Sequence, residues 1–170
     1  MFIENLGNDV SIGFTFFAYK VHDMIDLFTI GYQGRTPEPF LEALIEHGVE
    51  VLVDVRDRPQ SRKRGFSKTP LKSLLEPAGI EYVHLRDLGV PVDIRKAYRA
   101  GELELSEYLT QYRHNLPHHA DKVKELIDLV NDRRCCLLCF EHAPCECHRS
   151  VLADAVVNEA HYDLHVHNIL

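Results

Sequence analysis

Residues 49–55 read VEVLVDV, and this stretch decides the fold. Five of its seven side chains are apolar and four are valine. Branched apolar residues stand at consecutive positions 51, 52 and 53, so both faces of the strand must be buried, as in a helix-covered parallel sheet. Upstream, TPEPFLEALIEHG (36–48) reads as a helix. Thr36 is placed to cap it and Pro37 to open it; Phe40, Leu41, Leu44 and Ile45 share one face, and Gly48 closes it. Before that helix, LFTIGYQG (27–34) is a strand running into a glycine turn. Downstream come a short helix in TPLKSLLEPAG (69–79) that ends near Pro77 and a third strand in IEYVHL (80–85). Residues 93–115 are helical but weakly constrained. HHADKVKELIDLVNDR (118–133) is an amphipathic helix with Val123, Leu126, Ile127 and Val130 on its stripe. A buried strand RCCLLCF (134–140), a helix RSVLADAVVNEA (149–160) and a last strand DLHVHNI (163–169) complete the chain. Alternating strands and helices predict an α/β domain with a largely parallel sheet of four to five strands covered by helices, a Rossmann-like layered architecture.

At 170 residues, with 45% hydrophobic and 26% charged residues, the chain has the size and composition of one globular domain. We assign residues 27–170 to that domain and residues 1–26 to an N-terminal extension. Residues 1–23 fall outside the regular pattern. They read as an extension from a start upstream of Met24, or as a strand or hairpin covering a sheet edge. SIGFTFFAYKV (11–21) has no basic segment before it and no small-residue cleavage site, so it is not read as a signal peptide. No apolar run is long enough to span a bilayer. The five cysteines are odd in number and crowd into residues 135–147, which suits reduced thiols in the cytoplasm better than a disulfide framework.

The net charge of −7 argues against a general nucleic-acid coat. Yet RDRPQSRKRGFSK (56–68) carries six basic residues against one acid, a local +5 on a body of −12. A basic loop on an acidic body points to a focused anion site, unless the loop is only a solvated surface feature.

In a parallel sheet, ligands bind beyond the carboxyl ends of the strands. Tyr32, Asp54 and Arg56, His84, and Cys139 and Glu141 followed by Cys147-His148-Arg149 stand at four such ends. A helix starting near Arg149 offers backbone N–H groups to an anion, and Arg149 adds a planar fork. Cys147 at that helix terminus is expected to have a lowered pKa and to be a candidate nucleophile. Asp54 and Glu141 are candidate general bases, and His84 and His148 candidates for proton transfer. Tyr32, Arg56, Ser61, Arg62, Lys63 and Arg149 are the candidate anion-binding residues. Structural roles compete with these: Asp54 can cap a turn or pair with Arg56, His84 can be a hydrogen-bonded half-buried histidine, and Glu141 can pair with Arg149. Cys135 and Cys136 read as core.

Three motifs fail on spacing. VDVR resembles the second strand of rhodaneses, but neither Cys139 nor Arg149 has a partner six residues away that would close such a loop. Zinc deaminases need H-x-E and P-C-x-x-C, and PCEC (144–147) is one residue short. Cys145, Cys147 and His148 are too close in sequence to fill three corners of one zinc tetrahedron, although Cys139, Cys145 and Cys147 with His84 or His142 are not excluded. No metal and no cofactor is assigned.

The stretches TIGYQGRTPEPFLEAL, VLVDVRDRPQSRKRGFSK, GIEYVHLRDLGVP and LLCFEHAPCECHRSVLADAV, taken together and in this order, resemble the domain-of-unknown-function family 488 over residues 27–170. The family pattern falls on Thr29-Ile30-Gly31-Tyr32, on Asp54-Val55-Arg56 with Pro59 and Ser61, on Tyr82 and His84 with Leu88-Gly89, and on Cys139, Glu141 and Cys147-His148-Arg149. Cys145 is outside the pattern. The resemblance implies this fold and this rim of residues and implies no established activity. The residues lead us to expect an enzyme acting on an anionic substrate that bears phosphate, either a nucleotide or a nucleic-acid end. The alternative is a non-catalytic module that binds nucleic acid or a partner through loop 56–68. No membrane partner is expected, and the oligomeric state is not fixed by the sequence.

Overall fold

The computed structural model describes residues 24–170. The alternatives drawn for residues 1–23 lie outside the described residues. Five strands form one sheet: β1 (Ile25–Gly31), β2 (Val51–Asp54), β3 (Glu81–His84), β4 (Cys135–Cys139) and β5 (Leu164–Ile169). The order across the sheet is β3-β2-β4-β1-β5, and every neighbouring pair is parallel. The expected α/β layering is therefore present. β1 begins at Ile25, two residues before the expected start, because Ile25 pairs with Leu164.

Alternating side chains of the central strands feed two cores. Leu27, Val51, Val53, Cys135 and Leu137 face one side. There they meet α4 (Leu105–Asn115), α5 (Ala120–Asp132) and α6 (His148–Glu159) through Tyr112, Leu126 and Leu152. Phe28, Ile30, Leu52, Cys136 and Leu138 face the other side, against α1 (Pro37–Glu46) and α2 (Lys68–Leu75) through Phe40, Leu44, Leu71 and Leu75. VEVLVDV thus lies between two helical layers, with β2 wholly buried. Residues 93–115 resolve into two helices, α3 (Val92–Arg99) and α4, separated at Gly101, which takes a positive φ of 74°. Among the described residues no helix is long and apolar enough to cross a membrane.

The topology fixes where a crevice must open. The helices that follow β1 and β2 pack on one face, and the helix that follows β4 packs on the other. β4 lies between β1 and β2, so neighbouring strands send their chains to opposite faces at their carboxyl ends. Such a switch point leaves a gap that a ligand can occupy.

Candidate functional site

The carboxyl ends of β1, β2 and β4 are level. Gly31 pairs with Cys139, and Asp54 pairs with both Leu138 and His84. Beyond them lies a cleft of about 610 Å³. Tyr32, Cys139, Glu141 and His148 lie on its inner side. Arg58, Ser61, Arg62 and Lys63 from the loop after β2, and Arg95 and Arg99 from α3, form its walls.

The loop after β2 is built rather than loose. Phe66 is fully buried and stacks on Tyr32, with ring centroids 4.6 Å apart. The Ser67 hydroxyl accepts from Ser61 N–H at 3.0 Å and donates to the Ser61 carbonyl at 3.1 Å. The Ser61 hydroxyl accepts from Lys63 N–H at 3.0 Å, and the Lys63 ammonium donates to the Tyr32 carbonyl at 3.2 Å. Arg56 clamps the base of the loop. Its Nε and Nη2 donate to the two Asp54 oxygens at 2.8 and 2.5 Å, and its Nη1 donates to the Phe66 carbonyl at 2.9 Å and the Tyr32 hydroxyl at 3.1 Å. Tyr82 donates to Asp54 at 2.5 Å. Burial opposes the Arg56 charge, but the Asp54 carboxylate outweighs it and the guanidinium stays ionised. Asp54 and Arg56 are thus committed to each other and to the loop, the structural role that the sequence left open for Asp54.

His84 is half-buried and lies on the far side of this loop, in a separate depression with Asp57, Arg58 and Arg86. Its Nε2 is 2.8 Å from the Arg56 carbonyl. It does not line the cleft.

Arg149 departs from expectation. Its side chain is fully buried and donates to the carbonyls of Glu141 and His142 (2.8 Å for His142) and to the Thr29 hydroxyl at 3.2 Å. The Thr29 hydroxyl in turn donates to the Asn168 amide oxygen at 2.8 Å. The guanidinium therefore fixes the loop after β4 against β1 and β5. It meets the Glu141 backbone, not the carboxylate, so the anticipated Glu141–Arg149 ion pair is absent. Gly31 allows this approach: a β-carbon there would stand 1.8 Å from the Glu141 carbonyl oxygen.

Cys147 departs in the opposite sense from its expected acidity. It caps α6, and its sulfur accepts from Arg149 N–H at 3.5 Å. Full enclosure and the neighbouring Cys139 nevertheless push the thiol well above its usual range. Cys139, not Cys147, is the thiol that lines the cleft. Burial likewise raises Cys136, and Cys135 to about 12. Cys145 is exposed.

Cys139, Glu141, Cys147 and His148 converge. Cys139 Sγ lies 3.0 Å from Glu141 Oε2 and 3.5 Å from His148 Nδ1, and Cys147 Sγ lies 3.8 Å from the same nitrogen. His148 Nε2 is 3.1 Å from the Val55 carbonyl, which only accepts, so this nitrogen carries a proton and Nδ1 is the ring atom turned toward the thiols. Burial raises Glu141, but donation from Cys147 and Cys139 outweighs it and holds the carboxyl below its ordinary value. One potential ligand atom from each of the four residues falls within 4.8 Å of the others. Asp26, His165 and His167 make a second, more exposed group of this kind at the opposite end of β1.

The sequence reading placed Cys139 beside Glu141 at the end of β4, and it missed Arg58, Arg95, Arg99 and Tyr108 as cleft residues. Arg95 and Arg99 stand four apart in VDIRKAYR and share one helix face, beside Ile94 and Tyr98, which pack toward the core. That spacing was the available signal.

The family model described as "Domain of unknown function DUF488" matches residues 36–156. No curated protein and no solved structure matches the chain.

Proposed function

The chain belongs to the family of domain of unknown function DUF488, and from that premise we propose that it is an enzyme for a phosphate-bearing substrate, a nucleotide or a nucleic-acid end. One observation carries the reading: the cleft at the switch point has cationic walls and a floor of Cys139, Glu141 and His148. Arg62, Lys63 and Arg99 receive the phosphates, joined by Arg95, which also pairs with Asp57 of the cleft lining at 2.8 Å, and the helix-capped floor faces the reacting group. Glu141 is the general base of this arrangement, since its ionised carboxylate borders the cleft. Asp54, Arg56 and Arg149 position the loops.

A second reading is a non-catalytic nucleic-acid or partner-binding module. It is favoured by the continuation of the basic surface beyond the cleft, where Arg58 meets Arg95, Lys96 and Arg99 of α3.

Binding of inorganic pyrophosphate, a nucleoside triphosphate and a single-stranded oligonucleotide, each across a range of salt, separates the two. For the enzyme, Arg62→Ala/Lys63→Ala and Arg95→Ala/Arg99→Ala each weaken small-ligand binding by about tenfold or more, as lost charge-assisted contacts do. Glu141→Gln then leaves binding within about twofold and abolishes turnover of the ligand that the wild type consumes. A module binds only the oligonucleotide, with a steep salt slope and no turnover. Binding that is indifferent to all four cationic side chains contradicts both.

A further inference from the structure

The cleft floor gathers four electron-pair donors around a point that no protein cation occupies. We propose that Cys139, Glu141, Cys147 and His148 bind one divalent transition-metal ion of borderline softness, for which zinc is the fitting case. This rests on the reading of the same cleft as the enzyme's site and names what its floor holds.

Size supports it first. A tetrahedral zinc ion with bonds of about 2.0–2.3 Å spaces its ligand atoms by about 3.4–3.8 Å. Three of the six separations, at 3.0, 3.5 and 3.8 Å, lie in or near that range, and the other three are within 4.8 Å. Donor chemistry supports it next: two sulfurs, one imidazole nitrogen and one carboxylate oxygen suit zinc or cobalt(II), whereas magnesium and calcium require oxygen cages. The imidazole is already set for the task. Its Nε2–H is held by the Val55 carbonyl, the outer-shell arrangement that fixes the ring of a metal-binding histidine.

Charge points the same way. Among the described residues no lysine or arginine lies within ion-pair distance of the Glu141 carboxylate, and its basic neighbour is His148, within 4.8 Å and itself one of the four. Arg149, which meets the Glu141 backbone, gives its donors to carbonyl and hydroxyl oxygens instead. A metal ion supplies the missing positive charge and takes the thiols as thiolates, releasing their protons. The cage is held from behind by Arg149 and by the close packing of the Glu141 carbonyl on Gly31, so it does not depend on the ion for its shape. Cys147 closes the buried side, while Cys139, Glu141 and His148 border the cleft. Glu141 is the least buried of the four and is the ligand that can detach, which opens a position to a water or a phosphate oxygen, as catalytic zinc sites require, and frees its carboxylate for the general-base role.

The test uses the full chain, reduced and stripped with a chelator, then titrated with cobalt(II). One equivalent is expected to give a near-ultraviolet thiolate-to-cobalt band together with the intense visible bands of a tetrahedral ion, and one equivalent of zinc is expected to erase both. Cys145→Ser and His165→Ala/His167→Ala keep the spectrum, because neither exposed site supplies two thiolates. Cys139→Ser and Cys147→Ser each lose charge-transfer intensity and weaken binding by more than about tenfold. The wild-type titration needs no variant, so a variant that fails to fold leaves it decisive. Absence of the thiolate band at stoichiometric cobalt overturns the proposal, as does a band that survives both serine variants or a Cys139–Cys147 disulfide in protein purified without oxygen. Pyrophosphate binding by the metal-free protein probes the basic walls separately, so failure of the metal site and failure of the anion cleft give different results.

Discussion

Asp54 shows how far a single residue can be read. Asp-x-Arg at a strand end was visible in the sequence, and so were two roles for the carboxylate. The structure spends it on Arg56 N–H at 3.1 Å, the Arg56 guanidinium at two points, and Tyr82. A carboxylate with its lone pairs so occupied is a clamp, not a free base. Asp54→Asn leaves a buried guanidinium without its counter-charge and is expected to cost about 3–5 kcal/mol in denaturant unfolding. Replacing both members, Asp54→Asn with Arg56→Met, is expected to recover part of that loss. A loss below about 1 kcal/mol for the single variant, the range of an exposed pair, would mean that water reaches it. Arg149 was less legible. Its place at the start of a helix followed from CHRS, but its direction depends on the carbonyls of Glu141 and His142, which only the folded loop brings beneath it. The same holds for Cys147: adjacency to a helix terminus could be read, and the enclosure that reverses its acidity could not.

At the scale of elements, the periodic segments read well and the irregular ones did not. The wholly buried β2 and β4 and the striped α5 lie where their patterns put them, give or take a residue or two. Residues 93–115 were obscure because their apolar positions are few. The break at Gly101 and the arginines of α3 became clear only in three dimensions. Two glycines explain why distant segments can meet. A β-carbon on Gly31 would strike the Glu141 carbonyl, and one on Gly89 would stand 2.2 Å from the Asp57 nitrogen. Neither glycine has a positive φ, so the requirement is room for backbone rather than a special turn. Gly31→Ala is therefore expected to push the loop after β4 off β1. The expected destabilisation is about 1–3 kcal/mol, as for other overpacked sites. Alkylation of the native protein should then reach Cys139 and Cys147 markedly faster. Unchanged stability and unchanged thiol protection would show that the loop can move aside without loss.

At the scale of the whole molecule, function follows from strand order. Placing β4 between β1 and β2 opens one crevice at their carboxyl ends. The net charge is −7, yet the cationic loop and α3 line that crevice. On the proposed reading, an anion is drawn to one place on a chain that repels it elsewhere. Strand order could not be derived from the sequence, so the convergence of the motifs after β1, β2 and β4 was visible, while the shape that joins them and leaves His84 outside was not. The most direct test is to titrate the isotope-labelled protein with inorganic pyrophosphate at low salt and follow every backbone amide by NMR. The expected shifts concentrate at Tyr32, in residues 56–63, in residues 95–99 and in residues 139–148, and they fade as salt is raised. Shifts confined to the outer depression around His84 and Arg86, or none at millimolar ligand, would contradict the account.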